Sequence, residues 1–322
     1  MPTEQEILNL IRKITPDSKK YLHDDAAIIE NNLVLTTDTL VENTHFTLKT
    51  YTPEEIGWKA LAVNLSDIAA MGGKPLYALV SLSLPGKISL QWIKNLYKGI
   101  NSCAKKYKTK IIGGNLARSI EINITIMVIG KVRAGLAPAL RSNAKPGDLV
   151  FATGTFGDSA LGFNVIARRL KELTKQSRPG LHKMIGIASS GKALLAMTHK
   201  KPIPQIEKGV KIAKSCKRVA LMDTSDGLAN CLIQIANESK VKIILDEEKI
   251  PLSKNVTVNL ALYGGEDYQL IGTASINEIK KIKKIKGIHI IGKVLKGKGA
   301  FLKQRNSKLV KLDLKKSYEH FK

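Results

Sequence analysis

Thr52-Pro53-Glu54-Glu55-Ile56-Gly57-Trp58-Lys59-Ala60-Leu61-Ala62-Val63-Asn64-Leu65-Ser66-Asp67-Ile68-Ala69-Ala70-Met71-Gly72-Gly73 is the stretch on which the fold turns. Thr52 reads as a helix N-cap, Pro53 takes the first helical position and Glu55 completes a capping box. The helix runs to about Met71 and stops at Gly72-Gly73, ahead of Pro75. Spacing of three and four lines up Ala60, Val63, Asn64, Asp67 and Met71 on one side. That side is mostly apolar, so Asn64 and Asp67 face either an interior site or a single polar pair between helices. A carboxylate in such a setting is costly unless a cation or a hydrogen-bond donor meets it.

Outward from this helix, aspartates recur in similar surroundings: His23-Asp24-Asp25-Ala26-Ala27, Thr36-Thr37-Asp38-Thr39-Leu40 and Met222-Asp223-Thr224-Ser225-Asp226-Gly227. Asp24-Asp25 reads equally well as a surface turn. Asp38 lies at a strand end between hydroxyls that could ligate a cation, or simply form a Thr/Asp turn. Asp226 has the position of a helix N-cap. Asp223, at a strand end beside Thr224, Ser225 and Gly227, can reach a metal at the sheet edge, and the following helix can offer N–H groups to phosphate. Oxygen-only ligation suits Mg²⁺, which usually works with phosphates. The residues alone therefore point to Mg²⁺-dependent phosphate chemistry.

The composition narrows the alternatives. A chain of 322 residues with 43% hydrophobic content is expected to fold as about two domains with a sizeable core. Lys and Arg number 52 against 27 Asp and Glu, a formal charge of +25. The excess is spread from Lys13 to Lys322 without an Arg-rich arm or a nucleic-acid motif. It reads as a solvated surface compatible with acidic small substrates, and no specific nucleic acid is expected. Cys103, Cys216 and Cys231 are far apart and form no C-x-x-C, so neither a disulfide framework nor a zinc ribbon is indicated, and a reducing cytoplasm is the expected home. The first residues lack a signal-peptide pattern, and no apolar run approaches the ~20 residues of a membrane span.

Along the chain, residues 3–13 predict a helix, and 26–30 and 33–37 predict strands joined at Asn31-Asn32. Residues 76–84 read as a strand, 91–106 as a helix, 110–112 as a short strand ending at Gly113-Gly114-Asn115, and 120–132 as β-rich. A boundary is expected near Ala144-Lys145-Pro146-Gly147-Asp148, dividing 1–143 from 144–322. Beyond it, 149–153 and 218–222 read as strands, helices start at Asp158 and Asp226, 174–206 is a connection with helical pieces, 260–273 returns to the sheet, 280–286 ends a Lys-rich helix and 288–312 forms short strands. Helices and strands intermix without a regular βαβ train, which predicts α+β layers. Gly154-Thr155-Phe156-Gly157-Asp158-Ser159 resembles a phosphate cradle only loosely and lacks the Walker pattern, so Asp158 reads as a helix N-cap. The protein-kinase H-R-D and D-F-G sets, paired His metal spacing and a G-x-S-x-G elbow do not occur.

Taken in order, the motifs resemble the thiamine-monophosphate kinases, within the ATP-binding superfamily of aminoimidazole ribonucleotide synthetase and selenophosphate synthetase. The likeness runs through Asp24-Asp25-Ala26-Ala27, Thr36–Val41 with His45-Phe46, Lys59–Gly72, Arg141–Asp148, Thr153–Ala160, Asp223–Leu228 and Gly264-Gly265-Glu266-Asp267-Tyr268. His45, the Gly-Gly-Glu-Asp-Tyr run and the Tyr318-Glu319-His320-Phe321 tail favour these kinases over their cousins.

This resemblance implies ATP-dependent phosphorylation of thiamine monophosphate to the diphosphate, by direct in-line transfer and with several Mg²⁺ ions. Asp25, Thr36, Thr37, Asp38, Asp67 and Asp223 would be metal ligands, with Asp226 holding a further ion; Asp38, Asp67 and Asp223 would be catalytic. Gly114, Asn115, Arg141 and Ser225 would contact ATP. His45, Glu266 and Tyr318 would line the thiamine phosphate pocket, where an aromatic wall and a carboxylate suit a cationic thiazolium. The implied fold is the two-domain aminoimidazole-ribonucleotide-synthetase-like one. Its N-terminal mixed sheet binds ATP and Mg²⁺ and forms a barrel with that of a second subunit, and its C-terminal layered domain binds substrate.

Two departures stand out. The family loop Gly-Gly-Asp-Thr-Thr-Arg reads Gly113-Gly114-Asn115-Leu116-Ala117-Arg118, so Asn115 replaces an expected metal-binding aspartate and would be a metal ligand through its amide oxygen, without the full negative charge. Leu22-His23 replaces the Gly expected before the first Asp pair. The competing readings are a superfamily relative acting on another small molecule and a non-catalytic paralogue whose support is Asn115.

Overall fold

The computed structural model describes residues 2–133, 138–175 and 197–317. Two sheets organise them. The first has five strands in the order β1-β2-β5-β3-β4: β1 Ala27–Ile29, β2 Leu33–Val41, β3 Lys74–Leu84, β4 Lys110–Arg118 and β5 Asn123–Lys131. The second has seven, in the order β12-β11-β8-β10-β6-β9-β7: β6 Leu149–Thr153, β7 Ala220–Asp223, β8 Lys242–Asp246, β9 Leu270–Ala274, β10 Ile288–Leu295, β11 Gly299–Lys303 and β12 Leu309–Lys311. Both sheets mix parallel and antiparallel pairs, and the fold is α+β, as the pattern predicted.

The helices are α1 Glu4–Ile14, α2 Ser18–Tyr21, α3 Pro53–Ala70, α4 Leu90–Tyr107, α5 Asp158–Lys175, α6 Ile206–Ser215, α7 Leu228–Glu238, α8 Val258–Tyr263 and α9 Ile276–Ile282. The start of α3 is built as its sequence predicts. The Thr52 hydroxyl accepts from the Glu55 N–H at 3.2 Å, and the Glu55 carboxylate accepts from the Thr52 N–H at 2.8 Å. Nearly every residue from Ile56 to Ala70 is buried, so α3 is a central helix with no solvated face. It packs on β2, β5, α4, α6 and β7 and so touches both sheets. Close approach to α4 needs glycine: a Cβ on Gly57 would lie 2.0 Å from the Leu96 carbonyl oxygen, and one on Gly99 2.0 Å from that of Glu54.

Three expectations are corrected. The glycines at 113–114 do not end a strand, because β4 continues to Arg118 in parallel register with β3. The segment from Leu260 does not return directly to the sheet: Val258–Tyr263 is helical, capped by the Thr257 hydroxyl, and β9 begins at Leu270. Asp226 does not cap the helix that follows it; Gly227 is the N-cap, at φ 97, without a side-chain cap, and α7 begins at Leu228. Pro75 lies inside β3 and is accommodated where the register with β5 shifts, between Pro75 and Tyr77.

Candidate active site

β2 alternates its side chains between two faces. Val34, Thr36 and Leu40 are buried, Asp38 lies partly buried on the same face, and Thr37 and Thr39 are exposed on the other. The buried face meets α3. The Thr36 hydroxyl donates to Asp67 Oδ2 at 2.5 Å, and the Asp38 N–H donates to Asn64 Oδ1 at 2.9 Å. Asn64 is fully buried and its amide also donates to the Ala60 carbonyl, so its side chain joins α3 to β2. Thr37, expected beside Thr36 as a ligand, points its side chain to the opposite face because neighbours on a strand must.

β7 delivers Asp223 from the second sheet, and the segment before β1 delivers Asp25. One carboxylate oxygen from each of Asp25, Asp67 and Asp223 lies within 4.8 Å of the others. The sequence placed these three in separate motifs, and the structure brings them together. Burial pushes the Asp67 carboxyl well up, the charges of Asp38, Asp223 and Asp25 add to this, and the Thr36 hydrogen bond only partly offsets it. Asp223 is pushed up to about 8 by burial first, then by Asp25, Asp38 and Asp226. Oδ2 of Asp25 and Oδ2 of Asp223 are buried without a hydrogen-bond partner. Three crowded carboxylates, two of them with an orphaned oxygen, are unfavourable unless a cation joins them. The all-oxygen donor set fits a hard divalent cation better than zinc or copper.

Around this cluster, the Ser225 hydroxyl donates to Asp223 Oδ1 at 3.3 Å, and the Asn230 amide donates to Asp226 Oδ2 at 3.2 Å. Arg141 pairs with Asp25 at 2.8 Å, its other guanidinium arm donates to Gln234 at 2.7 Å, and its backbone N–H donates to Asp24 at 2.7 Å. Arg141 Nε is buried without a partner.

Gly114 and Asn115 lie elsewhere in the chain's own fold. Asn115 pairs with Ser81, Ser81 with Thr125 and Thr125 with Thr39. Asn115 is thus three strands from β2, about 14 Å at the usual strand spacing, on an exposed edge. Gly114 is obligatory on packing grounds: a Cβ there would lie 1.7 Å from the Val80 carbonyl oxygen.

A second polar cluster surrounds Glu266. Its Oε1 lies 2.7 Å from Lys59 Nζ, and its Oε2 lies 2.9 Å from His199 Nδ1. Burial raises the Glu266 carboxyl, but Lys59 and His199 together outweigh that and hold it below its ordinary range. Glu266 has φ 57, in the left-handed region that is costly for a residue with a Cβ, and its N–H donates to the Ser225 carbonyl at 2.6 Å. His45 lies in the turn after β2, where the Val41 N–H donates to its Nδ1 at 3.0 Å, which leaves the ring proton on Nε2. Tyr318 lies outside the described residues.

Asp267 settles the glycine loop before α5. Its carboxylate accepts the Gly157 N–H at 2.6 Å and the Ser159 N–H at 3.1 Å. An internal carboxylate therefore occupies the place a phosphate would take. Asp158 is not the cap; it opens the helix and accepts from the Thr155 and Ser253 hydroxyls.

A family model described as AIR synthase related protein, N-terminal domain, matches residues 23–132. The thiamine-monophosphate kinase of Bacillus subtilis strain 168 is 36% identical over 339 residues, spanning 98% of this chain and 99% of the relative. That of Aquifex aeolicus strain VF5 is 33% identical, spanning 91% of this chain and 95% of the relative. The chain belongs to the thiamine-monophosphate kinase family. A solved structure of this kinase family, AaThiL complexed with AMPPCP and TMP, superposes with a TM-score of 0.82 at 33% identity, covering 99% of this chain and 97% of that one. The aminoimidazole-ribonucleotide-synthetase-like fold expected for the kinase family is therefore the fold observed.

Sequence reasoning missed two residues of the second cluster, Lys59 and His199. Lys59 had one visible signal, a lysine inside an otherwise apolar helical run. His199 had none, because its partners Ser159 and Glu266 are 40 and more residues away.

Proposed function

We propose that this chain is a working thiamine-monophosphate kinase, transferring a phosphoryl group from ATP to thiamine monophosphate to give thiamine diphosphate and ADP. Kinship with the thiamine-monophosphate kinases along nearly the whole chain is the observation that carries this reading. The phosphoryl group passes directly between the substrates without a phosphoenzyme, a chemistry that asks for positioning and charge neutralisation.

Asp38, Asp67 and Asp223 are the catalytic carboxylates. With Asp25, the Thr36 hydroxyl and Asp226 they would hold several Mg²⁺ ions, which when bound neutralise phosphate charge. Thr37 can contribute only through its backbone oxygen, given the face its side chain takes. Arg141 and Ser225 would contact ATP. His45, Glu266 and Tyr318 would line the acceptor pocket.

Residues 1–143 are read as the ATP, Mg²⁺ and dimerisation part and 144–322 as the substrate-binding part. The metal cluster nonetheless takes Asp223 from the second part. A homodimer is supported by β4, a nine-residue edge strand with exposed Ile112 and Leu116. Such an edge invites pairing unless covered. Gly114 and Asn115 sit on that edge and would face the second copy. The compartment is read as the cytoplasm, from the three free cysteines.

Asp38→Ala and Asp67→Ala, assayed with ATP, Mg²⁺ and thiamine monophosphate, should each lose more than about a hundredfold in turnover. Wild-type-like turnover in either would sink the carboxylate cage.

A further inference from the structure

The segment just before α6 touches α5, Glu266 and α3. The Trp58 indole N–H donates to the Pro202 carbonyl at 2.9 Å, Lys200 pairs with Glu55 at 3.2 Å, and His199 reaches Glu266. His199 is buried, with Nδ1 also 3.0 Å from the Ser159 hydroxyl oxygen. A carboxylate can only accept, so the proton on Nδ1 faces Glu266, with the Ser159 oxygen beside it.

Lys59 has no exposed side-chain surface to speak of, at 1%, whereas Glu266 keeps 26%. An ammonium has three N–H groups. Lys59 uses them on Glu266 Oε1, on the His45 carbonyl at 3.2 Å and on the Tyr51 hydroxyl at 3.3 Å. One buried cation thus joins the turn carrying His45, which follows the first sheet's β2, to Glu266, which precedes the second sheet's β9. The two Glu266 oxygens are held by donors 140 positions apart in sequence, Lys59 and His199, and the remaining exposed surface of Glu266 is what an acceptor could meet.

We propose that Lys59 and His199 are positioning residues of the acceptor pocket. They lock the Glu266 carboxylate in one orientation with its charge already offset, and Lys59 fixes the His45 turn against it. A carboxylate so engaged is a weak ion-pair partner for a further cation, so Glu266 selects the acceptor by hydrogen bonding and shape. This rests on the reading that Glu266 and His45 line that pocket.

The test compares His199→Ala, His199→Asn and Glu266→Gln on the full-length protein, with KM for thiamine monophosphate and for ATP, kcat and Tm measured for each. Lys59 still offsets Glu266 in His199→Ala, so the fold should survive with Tm lowered by about 2–6 °C from the cavity and the lost hydrogen bond, while KM for thiamine monophosphate rises about tenfold and KM for ATP holds. His199→Asn, whose amide can donate from nearly the same place, should recover most of that loss. Should His199→Ala leave KM for thiamine monophosphate unchanged while Glu266→Gln raises it, the positioning role is overturned and the pocket reading survives. If Glu266→Gln also leaves it unchanged, both fall. A parallel rise in both KM values with a lowered Tm, not rescued by Asn, would make His199 merely structural and overturn the proposal.

Discussion

Thr36 and Asp67, 31 positions apart in sequence, meet at 2.5 Å, the hydroxyl donating to Oδ2. That contact fixes the register between the central helix α3 and strand β2, and it aims Asp67 at Asp25 and Asp223. The same geometry that makes the site also makes it unstable when no cation is bound, because burial and three like charges act together.

Asp67→Asn should therefore stabilise the metal-free protein while abolishing turnover. An amide cannot ionise, so neither a buried charge nor an enforced proton beside Asp223 has to be accommodated, and it can still accept from Thr36. Tm of the chelator-treated variant should rise by roughly 2–4 °C, about 1 kcal/mol for a protein of this size. Mg²⁺ should raise the Tm of the wild type, and that gain should largely disappear in the variant. Scanning calorimetry with and without Mg²⁺ checks both signs.

The pH dependence follows from the direction of the shifts. Asp223 is raised to about 8 from an ordinary 3.8, and Asp267 to about 7, mainly by burial. The folded, metal-free protein keeps protons that the unfolded chain releases. Its stability should fall as pH rises from about 4 to about 8, by up to about 1.4 kcal/mol per pH unit for each group titrating. Glu266 is shifted the other way, so its contribution is lost only at acid pH, below its ordinary 4.5. Mg²⁺ binding should release protons and tighten with pH across the same window. Titration calorimetry in buffers of different ionisation enthalpy reads the proton release.

Gly99→Ala isolates the α3–α4 contact. Helix propensity alone favours alanine by about 1 kcal/mol. The new Cβ would lie 2.0 Å from the Glu54 carbonyl oxygen, which is backbone and cannot swing away. Overpacking of this kind costs about 1–3 kcal/mol, so the net effect should be destabilising. Urea unfolding of the variant gives the sign.

Asn115→Asp tests the one departure that favours a non-catalytic paralogue. With Asp25, Asp67 and Asp223 already assembled, the wild type should turn over, and the variant should change KM for ATP by less than about tenfold, the scale of one amide-for-carboxylate exchange at an exposed site. A very low wild-type rate restored strongly by the variant would instead support the degenerate reading.

Much of this was legible in the sequence where the signals are local. The capping box at Thr52–Glu55 set the start of α3, and helical spacing put Asn64 and Asp67 on its inner side. Apolar surroundings singled out Asp223 before any partner was known. Contacts between distant residues could not be read. Gly113-Gly114 looked like a strand end because the glycine cue is local and the pairing with β3 is not. Asp158 looked like the cap of α5 because Asp267, which accepts the Gly157 and Ser159 N–H groups, comes more than a hundred residues later. Arg141 was expected at ATP, from the resemblance, and not as the partner of Asp25. Lys59 stood out only as a lysine in an apolar helical run, and its partner Glu266, whose charge it balances, lies more than two hundred residues later.

The most direct measurement is product formation: purified protein, ATP, Mg²⁺ and thiamine monophosphate, with thiamine diphosphate detected itself rather than through ADP. The account predicts thiamine diphosphate in step with ADP, and none when Mg²⁺ is chelated. ATP binding without any thiamine diphosphate, under conditions where the protein is folded and Mg²⁺ is present, would contradict it.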